Sequence, residues 1–481
     1  MRTTACIAPA LLALALACSV RADATGRNVP ADAMCPVPAD ASWTDAEKFV
    51  WRKVCVGEAA DFNSEPGFGG VRDPAQPLTW TKDRVLRPSF LEQILLEDRF
   101  RNALTRRGVR ILGARFSETV DLENVDLKHE LWLADCLLES GANFQRLKSS
   151  GMLMLDGTAV SGDFNMYGIK IAGDLLLREG GQYDRILLRD ARVDGQFSGV
   201  RSRFVRAFDA DTMQVGNSVF LDGASFPAGA FMVFGRYGGN LSFVGATLHG
   251  AVNLAGTSIG GELRLNSSRW SADSSLALRD VKTDTVKLSA ELNDYPPGVD
   301  LVGFVYRNLE IVAAVEGGLP RQAGIEWARK WLRKQVGYSP QPYEQLASVL
   351  HNAGDIGGGA EIRYESRIRE KEASKYLAWL WLLILDWTIG YGYHIERALL
   401  WVVGFVLLGW GVLFAAKQQD RHGMHIGFTY SLDLLLPLVK LRDRHYKIEL
   451  DPWPRRYFYL HKIAGYVLAA FLGAGLSGLT K

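Results

Sequence analysis

Every eleven residues from Val120 to Leu265 the chain repeats an apolar, any residue, apolar triplet, through fourteen consecutive units without a slip. The triplets run Val120/Leu122, Leu131/Leu133, Ala142/Phe144, Leu153/Leu155 and onward to Val252/Leu254 and Leu263/Leu265. Alternation within the triplet is the two-residue period of a strand, and eleven residues are too few for a helical repeat. Each unit is therefore a short strand and a corner, and units that cover only their neighbours stack into a solenoid. A small or turn-prone residue stands two places ahead of many triplets, as at Gly151, Gly162, Gly173, Gly195, Asn217, Gly239, Gly250 and Gly261. Glycine there takes a corner conformation with positive φ or lets stacked backbones approach. A second small-plus-apolar step, as in Ala191/Val193, Ala246/Leu248 and Thr257/Ile259, gives each unit two inward faces.

If two units close one coil, a coil takes about 22 residues and rises about 4.8 Å, which makes about seven coils and a parallel β-helix about 34 Å long. The fold class is mainly β, with the β-helix over 108–315. An open end exposes strand edges and core, and the helical spacing of Phe90, Leu91, Ile94, Leu95 and Phe100 predicts a helical cap over Pro88–Arg107 within an N-terminal segment, 25–107. After Leu265 the register drifts through two stretches that read as irregular last coils.

From 320 to 375 the strand pattern gives way to amphipathic helices: IEWARKWLRKQVG, then PYEQLASVLHNAG and AEIRYESRIREKEASK as a helical hairpin, with Leu346, Ala347, Leu350, Ala360 and Tyr364 as candidate contacts. Residues 376–394, rich in tryptophan, read as an interfacial aromatic segment. Two transmembrane helices are expected, at 398–416 and 462–480. The connector, 417–461, is basic, and its apolar stretch FTYSLDLLLPLVKL is too short to span, so a surface-lying or re-entrant helix is expected. Gly465, Ala469, Gly473 and Ser477 form a small-residue stripe at helical spacing. Its partner is the first span, through Gly404, Gly409 or Gly411, or the same helix of a second protomer.

The first 24 residues read as a signal peptide: Arg2, an apolar run from Ala5 to Ala17, then Ala22-Asp23-Ala24 as the cleavage pattern. Lipidation of Cys18 is the alternative. Export leaves Cys35 and Cys55 able to pair; Cys136, on an inward-type position five residues after Leu131, reads as a buried apolar filler. The positive-inside rule places the basic connector in the cytoplasm and the β-helix across the membrane from it. The formal net charge of +2 gives no push toward nucleic acid.

Thr388-Ile389-Gly390-Tyr391-Gly392 matches the potassium-channel filter signature, but the charged SRIREKEASK occupies the place of an outer membrane helix. A β-helix enzyme acting on envelope polysaccharide needs an acidic cluster on one face. The middle triplet positions, Asp121, Trp132, Asn143, Met154, Asn165, Leu176, Leu187, Ser198, Asp209 and Phe220, hold no column of carboxylates. His422 and His425 lack further ligands for a metal. No catalytic, cofactor-binding or metal-ligating residue is assigned, and no cofactor is expected. A basic stretch, Arg178 to Arg206, is offset by Glu179, Asp184, Asp190 and Asp194 and reads as a mixed solvated face or a contact for an anionic polymer.

The small-then-apolar faces resemble the pentapeptide-repeat β-helices, although the strict five-residue step is lost; that resemblance implies a four-sided, right-handed coil. WRKVCVGEAADF (Trp51 to Phe62), PSFLEQIL, GVRILGARF, YSPQPYEQLASVLHNAG (Tyr338 to Gly354), GYGY and FTYSLDLLLPLV together resemble a family of bacterial membrane-associated, pentapeptide-repeat-like β-helix proteins with a C-terminal two-span region. Such proteins are sometimes labelled membrane-associated oxidoreductases, yet no dinucleotide fingerprint accompanies the label here. The combined expectation is a non-catalytic scaffold of the bacterial inner membrane with a periplasmic β-helix. Its partners would be the lipid bilayer and a protein or anionic envelope polymer, and it would form a homo-oligomer if the second span pairs with its copy. A pore component is the alternative.

Overall fold

The computed structural model describes residues 35–291, 295–313, 319–394, 396–418, 427–436 and 441–476. The leader, His422, His425 and Ser477 lie outside the described residues. Parallel strands pair from coil to coil at a stride of 22, as in Val109↔Leu131, Leu131↔Leu153, Leu153↔Leu175 and Leu241↔Leu263. They form three sheets of 11, 15 and 7 strands, a parallel β-solenoid. Both apolar members of every triplet are buried. Past Leu265 the coils continue with one or two extra residues, as Leu263↔Val286 and Val252↔Leu276 show, and the last strand is Asn308–Val312.

The eleven-residue step has a backbone cause. A left-handed residue recurs at every eleventh position from Gly113 through Asn124, Asp135, Arg146 and Gly157 to Ser267. It stands two places after the second inward residue of each triplet, where the chain turns its corner. The glycines ahead of the triplets divide between the two roles expected of them. Gly162 and Gly250 have positive φ. Gly173 and Gly195 instead allow stacking, since a Cβ would stand 2.9 Å from Met152 N and 2.7 Å from Gly173 O respectively.

The N-terminal cap is more elaborate than one helix. Asp45–Val54 is a helix started by a Thr44/Glu47 capping box, and Ala60–Asp61 adds a strand against Ile111–Leu112. The expected Pro88–Arg107 helix stops at Leu96, because Glu97 is extended, and restarts as Asp98–Arg101. On a continuous helix Phe100 would lie off the Phe90–Ile94 face. The break turns it onto Trp43 and Trp51, with ring centroids 4.8 and 5.1 Å away. Cys35 and Cys55 are joined in a disulfide that anchors the chain to the first helix. Replacing both cysteines by serine is expected to lower the stability of the cap by about 3 kcal/mol, the loop-closure value for such a spacing, measured by denaturant titration against the oxidised protein.

The other end of the solenoid is closed by the helical region. Gln335 Oε1 accepts from Leu301 N at 2.6 Å, Gln341 Oε1 from Gly303 N at 2.8 Å, and Gln345 Nε2 donates to Tyr306 O at 2.6 Å. Three glutamines thus satisfy the open edge of the last coils. The helices Gln341–Asn352 and Ile356–Ala373 pack as the hairpin. Leu346 and Ala347 are buried, whereas Tyr364 leaves the hairpin and donates to Asp386 at 2.9 Å. Asp386 also binds Lys371 at 2.6 Å and Arg397 at 3.3 Å, clamping the hairpin to the helices that follow.

Those helices are Tyr376–Ile389, Glu396–Ala415, Gly427–Leu435 and Pro452–Leu476. Among the described residues, Glu396–Ala415 is the one helix long and apolar enough to cross a membrane by length and composition. Two expectations change. The connector ends at Asp451, as the final helix begins ten residues before 462. The short helix Gly427–Leu435 is wedged between the two long ones, because Gly409 and Gly465 leave room for it. A Cβ on Gly409 would strike Ser431 Oγ, and one on Gly465 would strike Leu435 O. Gly465 thus faces Leu435 of the short helix, and Gly404, Gly411 and Gly473 have nothing of this chain within 4 Å. Ala469 is half-buried.

Candidate binding groove

Charged residues of the solenoid follow its stride. Arg178 pairs with Asp156 at 2.7 Å, Arg185 with Asp163 at 3.4 Å, and Arg201 and Arg206 pair with Glu179 and Asp184, each partner one coil back. Arg189 reaches forward to Asp209 at 2.6 Å. Five of the seven arginines of the basic stretch are therefore held in cross-coil ion pairs, while Arg192 pairs with Asp194 and Arg203 stays free among the described residues. Among the triplet centres, Leu176, Ser198 and Asp209 are buried, whereas Asp121 is exposed. Cys136 is enclosed as expected, and burial pushes its thiol up to about 12.

The seven-stranded sheet differs. Its strands are two residues long, from Asp126–Leu127 to Ser258–Ile259, and each puts one residue inward and its predecessor outward. Reading outward positions at 22-residue intervals gives Asp126, Lys148, Lys170, Arg192, Gln214, Arg236 and Ser258, all exposed and paired rung to rung. Lys282 bridges to Ser258 and continues the row. Arg192 is tied to Asp194 at 3.1 Å, and Asp126 to Lys128 at 2.8 Å. Among the described residues, the Lys148, Lys170, Arg236 and Lys282 side chains have no ion-pair partner. Two other free arginines of the solenoid, Arg203 and Arg269, stand three coils apart on another face.

Beside the cationic row runs a second column, Ser150, Ala172, Asp194, Gly216, Gly238 and Gly260. The three glycines keep it low. They also stack closely: a Cβ on Gly216, Gly238 or Gly260 would stand 2.3, 2.1 or 2.2 Å from the carbonyl oxygen of Asp194, Gly216 or Gly238 in the preceding coil. Lys148, Lys170 and Arg192 stand beside Ser150, Ala172 and Asp194, and Gln214, Arg236 and Ser258 beside the three glycines; two depressions of about 350 and 370 Å³ lie along this trough and share Arg192 and Asp194. At the corner two residues before Arg236, on the side away from Gly238, Phe234 is 65% exposed and left-handed (φ 57°), with its ring by Gly256 of the next coil. A bulky aromatic in that conformation costs about 1–2 kcal/mol. Phe234→Gly is expected to raise stability by about 1 kcal/mol, seen as a higher denaturation midpoint.

The other polar concentration is in the helical unit, and it is structural. His461 Nε2 donates to Ser431 O at 3.0 Å and its Nδ1 accepts from Tyr457 at 3.2 Å. With its proton on Nε2, His461 cannot act as a base toward Ser431 Oγ 3.4 Å away. Asp433 accepts from Leu441 N at 2.8 Å, Arg442 N at 3.2 Å and His445 Nδ1 at 2.8 Å. All four side chains are buried. Thr388, Ile389, Gly390, Tyr391 and Gly392 end one helix and turn into the next. Ile389, Gly390, Tyr391 and Gly392 are buried, with Tyr391 5.9 Å from the Tyr364 ring, while Thr388 Oγ1 donates to Ile384 O at 2.7 Å. Trp381 and Trp387 nearby are exposed. Among the described residues no group of three or more His, Cys, Asp or Glu side chains is arranged to hold a metal ion.

The cationic row lies outside the triplets and so is not marked by the eleven-residue apolar pattern. The signal was present: a 22-residue stride begun at Lys148 meets Lys170, Arg192 and Arg236. Compared with known proteins, the chain matches no family model, and neither the curated proteins nor the solved structures give a match.

Proposed function

We propose that this chain is a non-catalytic binding scaffold of a bacterial inner membrane, held there by its C-terminal helices, with a right-handed, four-sided β-helix on the periplasmic side. One observation carries the binding role: on a solenoid whose other cations are mostly ion-paired, the seven-stranded sheet holds out Lys148, Lys170 and Arg236 unpaired along a trough. Such a row attracts an anionic envelope polymer. Anchoring is supported by the Glu396–Ala415 helix, whose Leu400 and Phe414 are exposed. The outward orientation is supported by the leader's signal pattern and by the basic residues between the two C-terminal helices.

The test is topological. A cysteine placed at exposed Glu118 (Glu118→Cys) is expected to react with a membrane-impermeant maleimide in intact spheroplasts, in protein that resists carbonate extraction. Labelling confined to inside-out vesicles would overturn the periplasmic placement, and release by carbonate would overturn the anchor.

A further inference from the structure

Resting on that reading of the groove, we infer that its ligand is a linear acidic polysaccharide bearing a carboxylate on each sugar, laid along the solenoid axis with about one sugar per coil. The rungs set the spacing: parallel strands stack about 4.8 Å apart, close to the advance of an extended pyranose unit. From Lys148 to Ser258 six successive rungs present Lys, Lys, Arg, Gln, Arg and Ser, so every rung carries a hydrogen-bond donor; Lys148, Lys170 and Arg236 offer an unpaired positive charge, while Arg192 is held by Asp194.

The mixture distinguishes ligands. Phosphate polymers reward uniform positive charge, whereas a uronate chain offers hydroxyls as well as carboxylates, which suit Gln214 and Ser258 as much as Lys170. A nucleic-acid duplex advances about 3.4 Å per nucleotide, out of step with the rungs. The low glycine column, Gly216, Gly238 and Gly260, lets a ring lie flat against backbone, and exposed Phe234 offers an aromatic face for the apolar side of a sugar. Retention of Phe234 in a strained conformation is explained if its ring contacts ligand.

The experiment uses the full-length protein in detergent micelles, titrated calorimetrically with linear 1,4-linked galacturonate oligomers of increasing length. Affinity is expected to rise with length and to level off near six sugars, one for each rung from Lys148 to Ser258. Methyl-esterified oligomers are expected not to bind. The paired change Lys170→Gln with Arg236→Gln removes two charge-assisted contacts and is expected to weaken binding at least about tenfold. Arg203→Gln with Arg269→Gln, equally exposed but off the groove, is expected to leave it unchanged. Phe234→Gly is expected to weaken binding while the protein becomes more stable. Galacturonate that binds no better than its ester, or shows no length dependence, overturns the inference. Tighter capture of polyphosphate or single-stranded DNA, abolished by the Lys170 and Arg236 changes, overturns the polysaccharide and keeps the groove. Absence of binding in every arm overturns both the ligand and the groove.

Discussion

Arg84→Met is expected to unfold the N-terminal cap at markedly lower denaturant, at a cost of about 3–5 kcal/mol. Arg84 is fully buried at the end of a short 3-10 helix, Lys82–Arg84. Its guanidinium meets backbone instead of a carboxylate: Nε donates to Phe68 O at 2.9 Å, Nη2 to Phe62 O at 3.0 Å and to Gly70 O, and Nη1 to Gly113 O at 3.3 Å and Asn63 Oδ1 at 2.9 Å. One planar fork thereby satisfies the carbonyls of a loop and of the first coil together. Methionine fills similar volume but leaves those buried oxygens without donors. Lysine should rescue little, since a single ammonium cannot reach acceptors spread around a plane. Equilibrium unfolding followed by tryptophan fluorescence, with Trp43, Trp51 and Trp80 in the cap, should show an early transition that the parent protein lacks. A shift below about 1 kcal/mol would contradict the role assigned to Arg84.

The solenoid was legible because its core is written twice per coil in apolar side chains, at a fixed stride. The corner was less legible. Its left-handed position is filled by glycine in some coils and by Asn124, Arg146, Glu179, Thr212 or Phe234 in others, so composition does not mark it. Coil closure overrides the local cost there, and an excess of glycine appears instead where backbones stack. Arg84 gave no signal for a different reason: a buried arginine bonded to carbonyls has no sequence partner to betray it. The wedged helix Gly427–Leu435 was visible as an apolar stretch, but its burial depends on room left by Gly409 and Gly465, more than thirty residues apart from one another.

The groove shows the opposite balance. Each of its residues is an ordinary exposed lysine, arginine or glutamine, and only the coil length turns them into a row. Once the stride of 22 is established, Lys148, Lys170, Arg192, Gln214 and Arg236 can be read from sequence. What sequence does not show is which cations are neutralised. Arg201 and Arg206 look as available as Lys170, yet Glu179 and Asp184 occupy them. Availability is a property of the neighbouring coil.

Gly238→Ala is expected to break the stack at the centre of the groove. The backbone of Gly238 is not left-handed, so alanine is locally permitted. The obstacle is the preceding coil: a Cβ would stand 2.1 Å from the Gly216 carbonyl oxygen. Backbone held in a ladder on both sides, by Gly238 N to Val215 O at 2.9 Å and Gly260 N to Tyr237 O at 2.8 Å, cannot retreat as a flexible side chain would. The coils must part, and a loss of about 3 kcal/mol or more is expected, comparable with other severe overpacking. Because each coil touches only its neighbours, the damage should stay local: hydrogen exchange is expected to accelerate in the strands Gln214–Val215, Arg236–Tyr237 and Ser258–Ile259 while Lys148–Ser149 keeps its protection. Gly245→Ala serves as the comparison. Its Cβ would meet nothing within 4 Å, and only its left-handed backbone (φ 68°) opposes the change, so it should cost about 1–2 kcal/mol. Equal losses at the two sites would show that coil-to-coil contact is not what keeps the groove column glycine.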